Sequence, residues 1–532
     1  MRTVQFDPAT LEVLRNALDA TAHEMGAVLR RTAFSPNIKE RMDASCAIFD
    51  RRAQLVAQAE HVPVHLGSML TALGPTLASI PPLGPGDLVV VNDPFLAGAH
   101  LPDILVVNGV FVAGQLLAYV ATRAHHSDVG GMEPGSMPGS SREIFQEGLV
   151  IPPVLLYRAG VLQTDIERLI LANVRTPVER RGDLHAQLAS LRVGERRLAE
   201  LAHKYGADTL LQGFDALLDY AERRMRQSIA RFRPGVYRAT DALDDDGVSN
   251  EPVPISVTVV IEGNRMVLDF DGSAPQCAGN VNAVAPMTHS AVFFALKVVT
   301  DAGIPANAGA FRPVEIRIPR GSVLDAVSPA AVCAGNTETT QRVADVVLLA
   351  MAQCEPDRVP AASQGTMNLI GVGGLDPRSG KPYTYVETIG GGQGGRPMGP
   401  GQHGLQCNMT NTMNTPVEAL EIAYPLRVER YELRDGSGGA GLHAGGCGVV
   451  RAIRVLDHDA RVSLQSDRRR SRPYGLHGGE AGATGRNSVV DSAGQTVEQP
   501  GKLSFTLRAG DCVVVETPGG GGWNDPGNGT GD

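Results

Sequence analysis

The hydrophobic period of this chain changes near Arg233-Pro234-Gly235, and that change constrains the fold more than any other feature of the sequence. Before it, leucines recur at helical spacing between residues 165 and 232. After it, apolar and polar residues alternate in short segments, and a Gly263-Asn264 turn joins two of them into a predicted hairpin. Because a helical period and a strand period need different partners to bury their apolar faces, the sequence predicts a mixed α+β fold.

We expect this fold to be divided into several domains, because 532 residues exceed the ~100–200 that one domain usually holds. A predicted N-terminal α/β region covers residues 1–232 and ends in the helical segment. A middle α+β region covers 233–355, and a β-rich, glycine-rich region covers 356–532. The many glycines of the last region predict tight turns and close approaches between backbones.

Charge and composition exclude several classes of function. The net charge is −9, the isoelectric point is near 5.8, and no long basic stretch is present, so the electrostatic attraction behind nucleic-acid binding is missing. No run of about 18 apolar residues occurs, and the first residues lack the apolar core of a signal peptide. The seven cysteines form no CxxC pair, which fits a reducing compartment. We therefore predict a cytoplasmic protein that binds neither nucleic acid nor membranes.

Side chains of the kind that bind metal ions gather at the two ends of one predicted hairpin, which turns at Ala113-Gly114. His100 and Asp103 stand where this hairpin begins, and His125 stands where it returns. Because the second strand of a hairpin ends beside the start of the first, these side chains should converge. Two imidazoles and a carboxylate suit a catalytic Zn, Mn or Fe ion with open positions. Asp43, at the start of an earlier predicted strand, is a candidate fourth ligand.

Simpler interpretations stay open for these residues and their neighbours. Histidines and aspartates at strand ends often cap loops or bond to main-chain amides. His61 and His65 have the spacing of two ligands on one helix face, but Pro63 stands between them and favours a helix entry beside the pocket. The loop at 130–141 is either a substrate lid or a surface connection.

The chain contains no convincing phosphate-binding motif. The glycines at 390–395 satisfy the pattern GxGxxG, but the strand and helix that this motif requires are missing around them. We therefore do not expect the chain to bind ATP by itself.

Taken together, these motifs resemble the hydantoinase B family, and the resemblance covers essentially the whole chain. That family includes the B subunit of N-methylhydantoinase, the C-terminal part of 5-oxoprolinase, caprolactamase, and the α subunits of acetone and acetophenone carboxylases. The motifs that carry the resemblance are Glu40-Arg-Met-Asp43, Glu60-His-Val-Pro-Val-His65, Asn92-Asp93-Pro94, His100-Leu-Pro-Asp103, His125-His126-Ser-Asp128, Asn173-Val-Arg175, Asp183-Leu-His-Ala-Gln187, Asn411-Thr-Met-Asn414 and the glycine-rich end after Thr517.

The resemblance implies one divalent metal ion, Zn, Mn or Fe, held by four side chains. The residues at the corresponding motif positions are Asp43, His100, Asp103 and His125. Beside the metal we predict one general base and three residues that orient ligands or relay protons. The predicted base is Glu40, and the other three are Asp93, His126 and Asp128.

The resemblance also implies a reaction and a partner. The chain would be the B subunit of an ATP-dependent cyclic amidohydrolase, in a hetero-oligomer with a hydantoinase A-type subunit that binds ATP. That partner would phosphorylate the oxygen of a lactam or hydantoin, and a metal-bound water would then attack the activated carbon. One alternative is the α subunit of an ATP-dependent ketone carboxylase, and another is a non-catalytic scaffold for the A subunit.

Overall fold

A seven-stranded antiparallel sheet forms the centre of the N-terminal region in the computed structural model, which describes residues 6–59 and 62–528. Its strands are β1 (Ala44–Asp50), β2 (Leu55–Ala59), β3 (Leu88–Val91), β4 (Asp103–Val112), β5 (Gln115–His125), β6 (Val154–Arg158) and β7 (Val161–Leu162). They lie in the order β2-β1-β5-β4-β3-β6-β7. The predicted hairpin at Ala113-Gly114 is therefore confirmed as the pair β4 and β5.

Helices cover both faces of this sheet, so its central strands are buried almost throughout. They are α1 (Pro8–Thr32), α2 (Pro36–Lys39), α3 (His65–Ala78), α4 (Pro94–Ala97), α5 (Thr164–Ala172), α6 (Pro177–Tyr205) and α7 (Ala207–Ile229). Because successive strand residues face opposite ways, Ile48 of β1 joins the core that includes α1 and α6, whereas Phe49 joins the core that includes α3. Asp7 caps α1, accepting a hydrogen bond from the Thr10 amide.

A smaller sheet and two buried helices form the middle region. Its elements are β8 (Gly235–Leu243), β9 (Val253–Glu262), β10 (Arg265–Asp269), α8 (Ala285–Val299), β11 (Val314–Arg317) and α9 (Thr339–Cys354). The sheet has the order β11-β10-β9-β8. Helix α8 packs closely on α3 at Gly67, where a Cβ atom would lie 2.3 Å from the main-chain nitrogen of Ser290. The middle and N-terminal regions consequently share one continuous hydrophobic core.

Two packed sheets form the C-terminal region. Its elements are β12 (Leu369–Asp376), β13 (Lys381–Thr388), α10 (Val417–Ala423), β14 (Leu426–Arg434), β15 (Gly448–Val455), β16 (Ala460–Gln465), β17 (Arg486–Val490), β18 (Thr496–Gln499), β19 (Lys502–Leu507) and β20 (Cys512–Glu516). The sheets have the orders β13-β12-β16-β19 and β14-β15-β20-β17-β18, with a shared apolar core. The glycines at 390–395 pass through this region as close-packed backbone, since a Cβ on Gly392 would lie 2.0 Å from the Gly446 carbonyl oxygen.

The mixed α+β class is confirmed, and each of these four sheets lies within one of the three predicted regions. Single 3-10 turns occur at Ile144–Gln146, Cys333–Gly335 and Pro526–Asn528. Buried charges join the middle region to the C-terminal one, with Arg342 and Lys502 both donating to the Asp467 carboxylate. Within the described part of the chain, no helix combines the length and apolarity needed to cross a membrane.

Candidate metal centre

The two ends of the central hairpin meet at the predicted residues. Asp103 lies directly opposite His125 in the register of β4 and β5, and the Asp103 amide donates to the His100 carbonyl oxygen across a tight turn at 3.0 Å. Potential ligand atoms of His100, Asp103 and His125 all lie within 4.8 Å of one another, and all three side chains are buried. The predicted convergence of these three side chains is confirmed, and their binding of a metal stays a prediction.

Groups from distant parts of the chain hold these side chains in place. Nδ1 of His100 lies 3.1 Å from the carbonyl oxygen of Cys333, and Asn336 donates to Oδ2 of Asp103 at 3.1 Å. The side-chain nitrogen Nδ2 of Asn37 lies 2.9 Å from both Nδ1 and the main-chain carbonyl oxygen of His125. Contacts of this kind orient the rings and carboxylates that surround a candidate metal position. The segment before α9 and the segment at α2 therefore complete a site that the hairpin begins.

Asp43 joins the same site from the start of β1. Its carbonyl oxygen accepts a hydrogen bond from the His125 amide at 3.0 Å, and its side chain lines one small cavity with the three hairpin residues. Arg41 lines this cavity too and is 1% exposed. The cavity has a volume of about 30 Å³, which is close to the share of one water molecule in liquid water.

His65 is a site residue that the sequence analysis placed only beside the pocket. It is the first residue of α3, and its Nε2 atom lies 3.6 Å from Oδ2 of Asp103. Its Nδ1 atom lies 2.9 Å from Oγ of Ser45 on the neighbouring strand. The helix entry after Pro63 is confirmed, and the same entry aims the ring at Asp103. His61, the other histidine of this motif, lies outside the described residues.

The electrostatics of the site fit a cation. Oδ1 of Asp103 and Nε2 of His65 are buried without a hydrogen-bond partner among the residues that the structure describes. Burial and, to a smaller degree, the charge of Asp103 raise the pKa of Asp43, although Arg41 lowers it. Burial also holds the pKa of His125 well below its usual range, so that its ring is neutral and able to bind a metal. A divalent ion would offset the repulsion between the two carboxylates and satisfy the orphaned atoms.

His126 and Asp128 are two of the three residues predicted to orient ligands or relay protons, and neither lines the cavity. Nε2 of His126 lies 3.0 Å from Oε1 of Gln187, and burial lowers the pKa of His126 to about 4. Asp128 accepts hydrogen bonds from the amides of Gly130 and Gly135 and from Arg175. These contacts hold both side chains outside the cavity wall. Their predicted roles in orienting ligands or relaying protons stay predictions.

The other two predicted residues also lie outside the cavity wall. Asp93 caps the short helix α4 by accepting from the Phe95 amide. Glu40 ends helix α2, partly exposed, and neither residue lines the metal cavity in the described structure. A general-base role for Glu40 therefore has no geometric support. Local sequence placed both beside ligands, but the chain turns between Glu40 and Asp43 and again between Asp93 and His100.

The second half of the loop at 130–141 is held inside the molecule, whereas Gly131 and Met132 are exposed. Pro138 accepts hydrogen bonds from Asn280 and Gln465, and the Gly139 amide donates to Ser504. These contacts bind the second half of the loop to two other regions of the fold, which favours a fixed connection over a substrate lid.

Comparison with known proteins places this architecture among enzymes. The family model described as hydantoinase B/oxoprolinase matches residues 7–526. The chain is 40% identical to an uncharacterized protein of Methanocaldococcus jannaschii, over 98% of this chain and 91% of that protein. It is 38% identical to a 5-oxoprolinase of Pestalotiopsis fici, where the match covers 98% of this chain but 42% of the longer relative.

A solved structure gives the same result in three dimensions. The ATP-dependent caprolactamase from Pseudomonas jessenii superimposes with a TM-score of 0.93 at 29% identity. The superposition covers 98% of this chain and 92% of the caprolactamase chain.

Proposed function

This chain belongs to the hydantoinase B/oxoprolinase family, and we propose that it is the metal-containing B subunit of an ATP-dependent cyclic amidohydrolase. Its substrate would be a lactam or hydantoin ring. The observation that carries the proposal is the convergence of His100, Asp103 and His125 in one buried cavity. The likeness to an ATP-dependent caprolactamase along 98% of the chain supports this reaction class.

Four side chains would hold one divalent ion in this cavity, namely Asp43, His100, Asp103 and His125. Nitrogen and carboxylate donors of this kind suit Zn, Mn or Fe. When bound, such an ion lowers the pKa of water towards 7 and polarises a carbonyl oxygen.

The chain's own residues prepare the site for that chemistry. Nδ1 of His100 donates to the Cys333 carbonyl, which leaves its Nε2 atom free to bind the ion. Asn336 orients the Asp103 carboxylate, and the apolar side chains of Val62 and Val64 line the cavity. These apolar walls exclude bulk water and so strengthen every electrostatic interaction inside.

We further propose that a hydantoinase A-type partner binds ATP. Amide rings are weak electrophiles, so their oxygen must be phosphorylated before hydrolysis proceeds readily. The present sequence has no phosphate-binding motif. This chain matches 42% of the length of the 5-oxoprolinase relative.

Coexpression with an A-type subunit tests the proposal. We expect ATP consumption and ring opening of at least one of 5-oxoproline, hydantoin, 2-pyrrolidone or ε-caprolactam, provided that both subunits are present. Asp103→Asn should abolish ring opening, whereas the matched change Asp165→Asn on the surface of α5 should not.

Two results would contradict the proposal. Bicarbonate-dependent carboxylation of a ketone by the same complex would assign it to the carboxylases. A complex that is stable and fully active with Asp103→Asn would reduce this chain to a scaffold.

A further inference from the structure

A second, larger cavity lies directly beside the metal centre. It has a volume of about 630 Å³, within the range of small-molecule sites, whereas the metal cavity has about 30 Å³. Thr410 lines both cavities. Val62 and Val64 line the metal cavity, and Pro63 between them lines the larger one. The wall is therefore thin, and the Val64 amide bonds across it to the Met409 carbonyl at 3.0 Å.

The lining of the larger cavity combines apolar side chains with polar and charged ones, and two of the polar side chains carry an atom that lacks a partner. Phe294, Leu348 and Met398 contribute apolar surface. Oε1 of Gln406 and Nε of Arg396 are both buried and have no hydrogen-bond partner among residues 6–59 and 62–528. A buried polar atom without a partner is costly, so these two atoms indicate a ligand that supplies the missing bonds.

The orientation of each polar group is set by its other contacts. The amide nitrogen of Gln406 donates to Oγ1 of Thr388 at 3.2 Å, which leaves Oε1 as the free acceptor. Nη2 of Arg396 donates to the Pro400 carbonyl at 3.3 Å, which leaves Nε–H as a free donor. Gln406 and Arg396 therefore each bring to the wall of one cavity a side chain that carries an unpaired polar atom.

We propose that this cavity binds the ring of the cyclic amide before it is activated, with Gln406 accepting from the ring N–H and Arg396 donating to the ring carbonyl. The geometry of a small lactam or hydantoin favours this, because its amide is locked cis and presents N–H and C=O on the same edge. The methylene carbons of the ring would contact Phe294 and Met398. The inference rests on the proposed function and adds the residues that recognise its substrate.

Ring binding without nucleotide tests this directly. The full chain, loaded with metal, is titrated by ligand-observed NMR with 2-pyrrolidone, 5-oxoproline, hydantoin and ε-caprolactam. At least one ring should bind, and Gln406→Met should weaken it about tenfold or more because the ring N–H loses its acceptor. The matched change Gln402→Met, on the same segment but exposed and outside the cavity, should leave binding unchanged.

N-methylation of the ring gives a second arm. N-methyl-2-pyrrolidone should bind the natural chain weakly, and Gln406→Met should weaken it no further, since the bond to Oε1 is already missing. Arg396→Gln should also weaken the unmethylated ring, which covers the case that Gln406→Met misfolds. Equal ring affinity in the natural chain and in both variants, or no binding of any ring, would overturn the site.

The site and the proposed function fail in different ways. Ring opening by the two-subunit complex with an unchanged KM in Gln406→Met overturns the site and leaves the function. Ring binding that depends on Gln406, in a complex that opens no ring, supports the site and overturns the function.

Discussion

At the scale of single residues, His125 and His126 show how one step along the chain separates two roles. His125 lines the metal cavity beside Asp103, whereas His126 contacts Gln187 of α6. Burial lowers the pKa of both rings, so both are neutral near pH 7. The two histidines therefore do not differ in charge, but they differ in which residues surround their side chains.

The same substitution in both histidines tests this assignment. His125→Gln should reduce bound metal at least tenfold after dialysis against a chelator, because one ligand is lost. His126→Gln should keep its metal and lower the stability by about 1–3 kcal/mol, because a buried hydrogen bond is disturbed. Elemental analysis and thermal unfolding measure the two effects. Loss of metal in both variants to the same extent would contradict the assignment.

Glu338 gives a prediction on pH. Burial, and then the charge of Asp467, raises the pKa of this carboxyl from 4.5 to about 7, against the opposing charges of Lys502 and Arg469. A group whose pKa is raised on folding stabilises the fold below its unfolded pKa, and that contribution is lost as the pH rises through the folded value. The affected window therefore runs from about pH 4.5 to about pH 7.

The variant Glu338→Gln removes this pH dependence. Relative to the natural chain, it should gain up to about 3 kcal/mol at pH 8 and little at pH 4, since each pKa unit corresponds to about 1.4 kcal/mol. Thermal unfolding at both pH values measures the difference, and the exposed Glu251→Gln serves as control. A variant that is less stable than the natural chain at pH 8 would show that the carboxylate is needed in its charged form.

Sequence predicted the site residues that one hairpin links and missed those that tertiary packing supplies. Asp103 and His125 followed from strand register, because a hairpin fixes which residues face each other. Asn37 and Asn336 are neutral amides, one before the hairpin and one more than 200 residues after it, and no local pattern marks them. His126 and Asp128 stand beside predicted ligands in sequence, but their side chains contact Gln187 and Arg175 and do not line the cavity.

At the scale of elements, the same contrast separates the hairpin from the loop that follows it. Apolar residues at 104–112 and 116–121 and the Ala113-Gly114 turn determine the hairpin locally, and both glycine and alanine adopt positive φ there. The loop at 130–141 is held by Asn280, Gln465 and Ser504, and contacts of that sequence separation leave no periodic signal. Its conformation therefore could not be predicted from its own residues.

Gly131 tests how tightly that loop is held. Its φ is +83°, and a Cβ atom would lie 2.6 Å from the carbonyl carbon of Glu147. Gly114 has a similar φ of +77°, with no atom within 4 Å of its Cβ position. Gly131→Ala should therefore cost clearly more than the ~1–2 kcal/mol expected from backbone strain alone in Gly114→Ala. Equal melting temperatures of the two variants would mean that the loop relaxes freely.

The Gly131 contact also leads to the metal centre. Both carboxyl oxygens of Glu147 accept from the Val332 amide, and Oε1 also accepts from the Cys333 amide. The Cys333 carbonyl in turn accepts from His100. A shift of Glu147 should thus loosen His100, so Gly131→Ala is expected to release metal faster than Gly114→Ala during dialysis against a chelator.

At the scale of the whole molecule, the candidate metal centre lies where all three regions meet. The N-terminal region supplies the predicted ligands, and the middle region supplies Asn336. The C-terminal region supplies Thr388 and Thr412 to the cavity wall. Arg41 ties these regions together, because its guanidinium donates to Asn37 on one side and to Val386 and Thr388 on the other. The site therefore depends on the packing of regions and not only on its hairpin.

Arg41→Met should weaken this assembly at the metal. The side-chain oxygen of Asn37 would lose the hydrogen bond that it accepts from Nη1 of Arg41 at 2.5 Å. That bond orients the Asn37 side chain, whose nitrogen contacts His125. Loss of such an outer contact typically costs 10–100-fold in metal affinity, so we expect a change of about that size in a competition titration with a chelator.

Arg180→Met is the matched control, because Arg180 is equally buried but pairs with Asp183 at 2.9 Å, outside the cavity wall. It should lower stability by several kcal/mol through the charge left unpaired, yet leave metal affinity unchanged. If both variants lose metal in proportion to their loss of stability, Arg41 acts through the fold as a whole; a selective loss in Arg41→Met places it in the chain of contacts that positions His125.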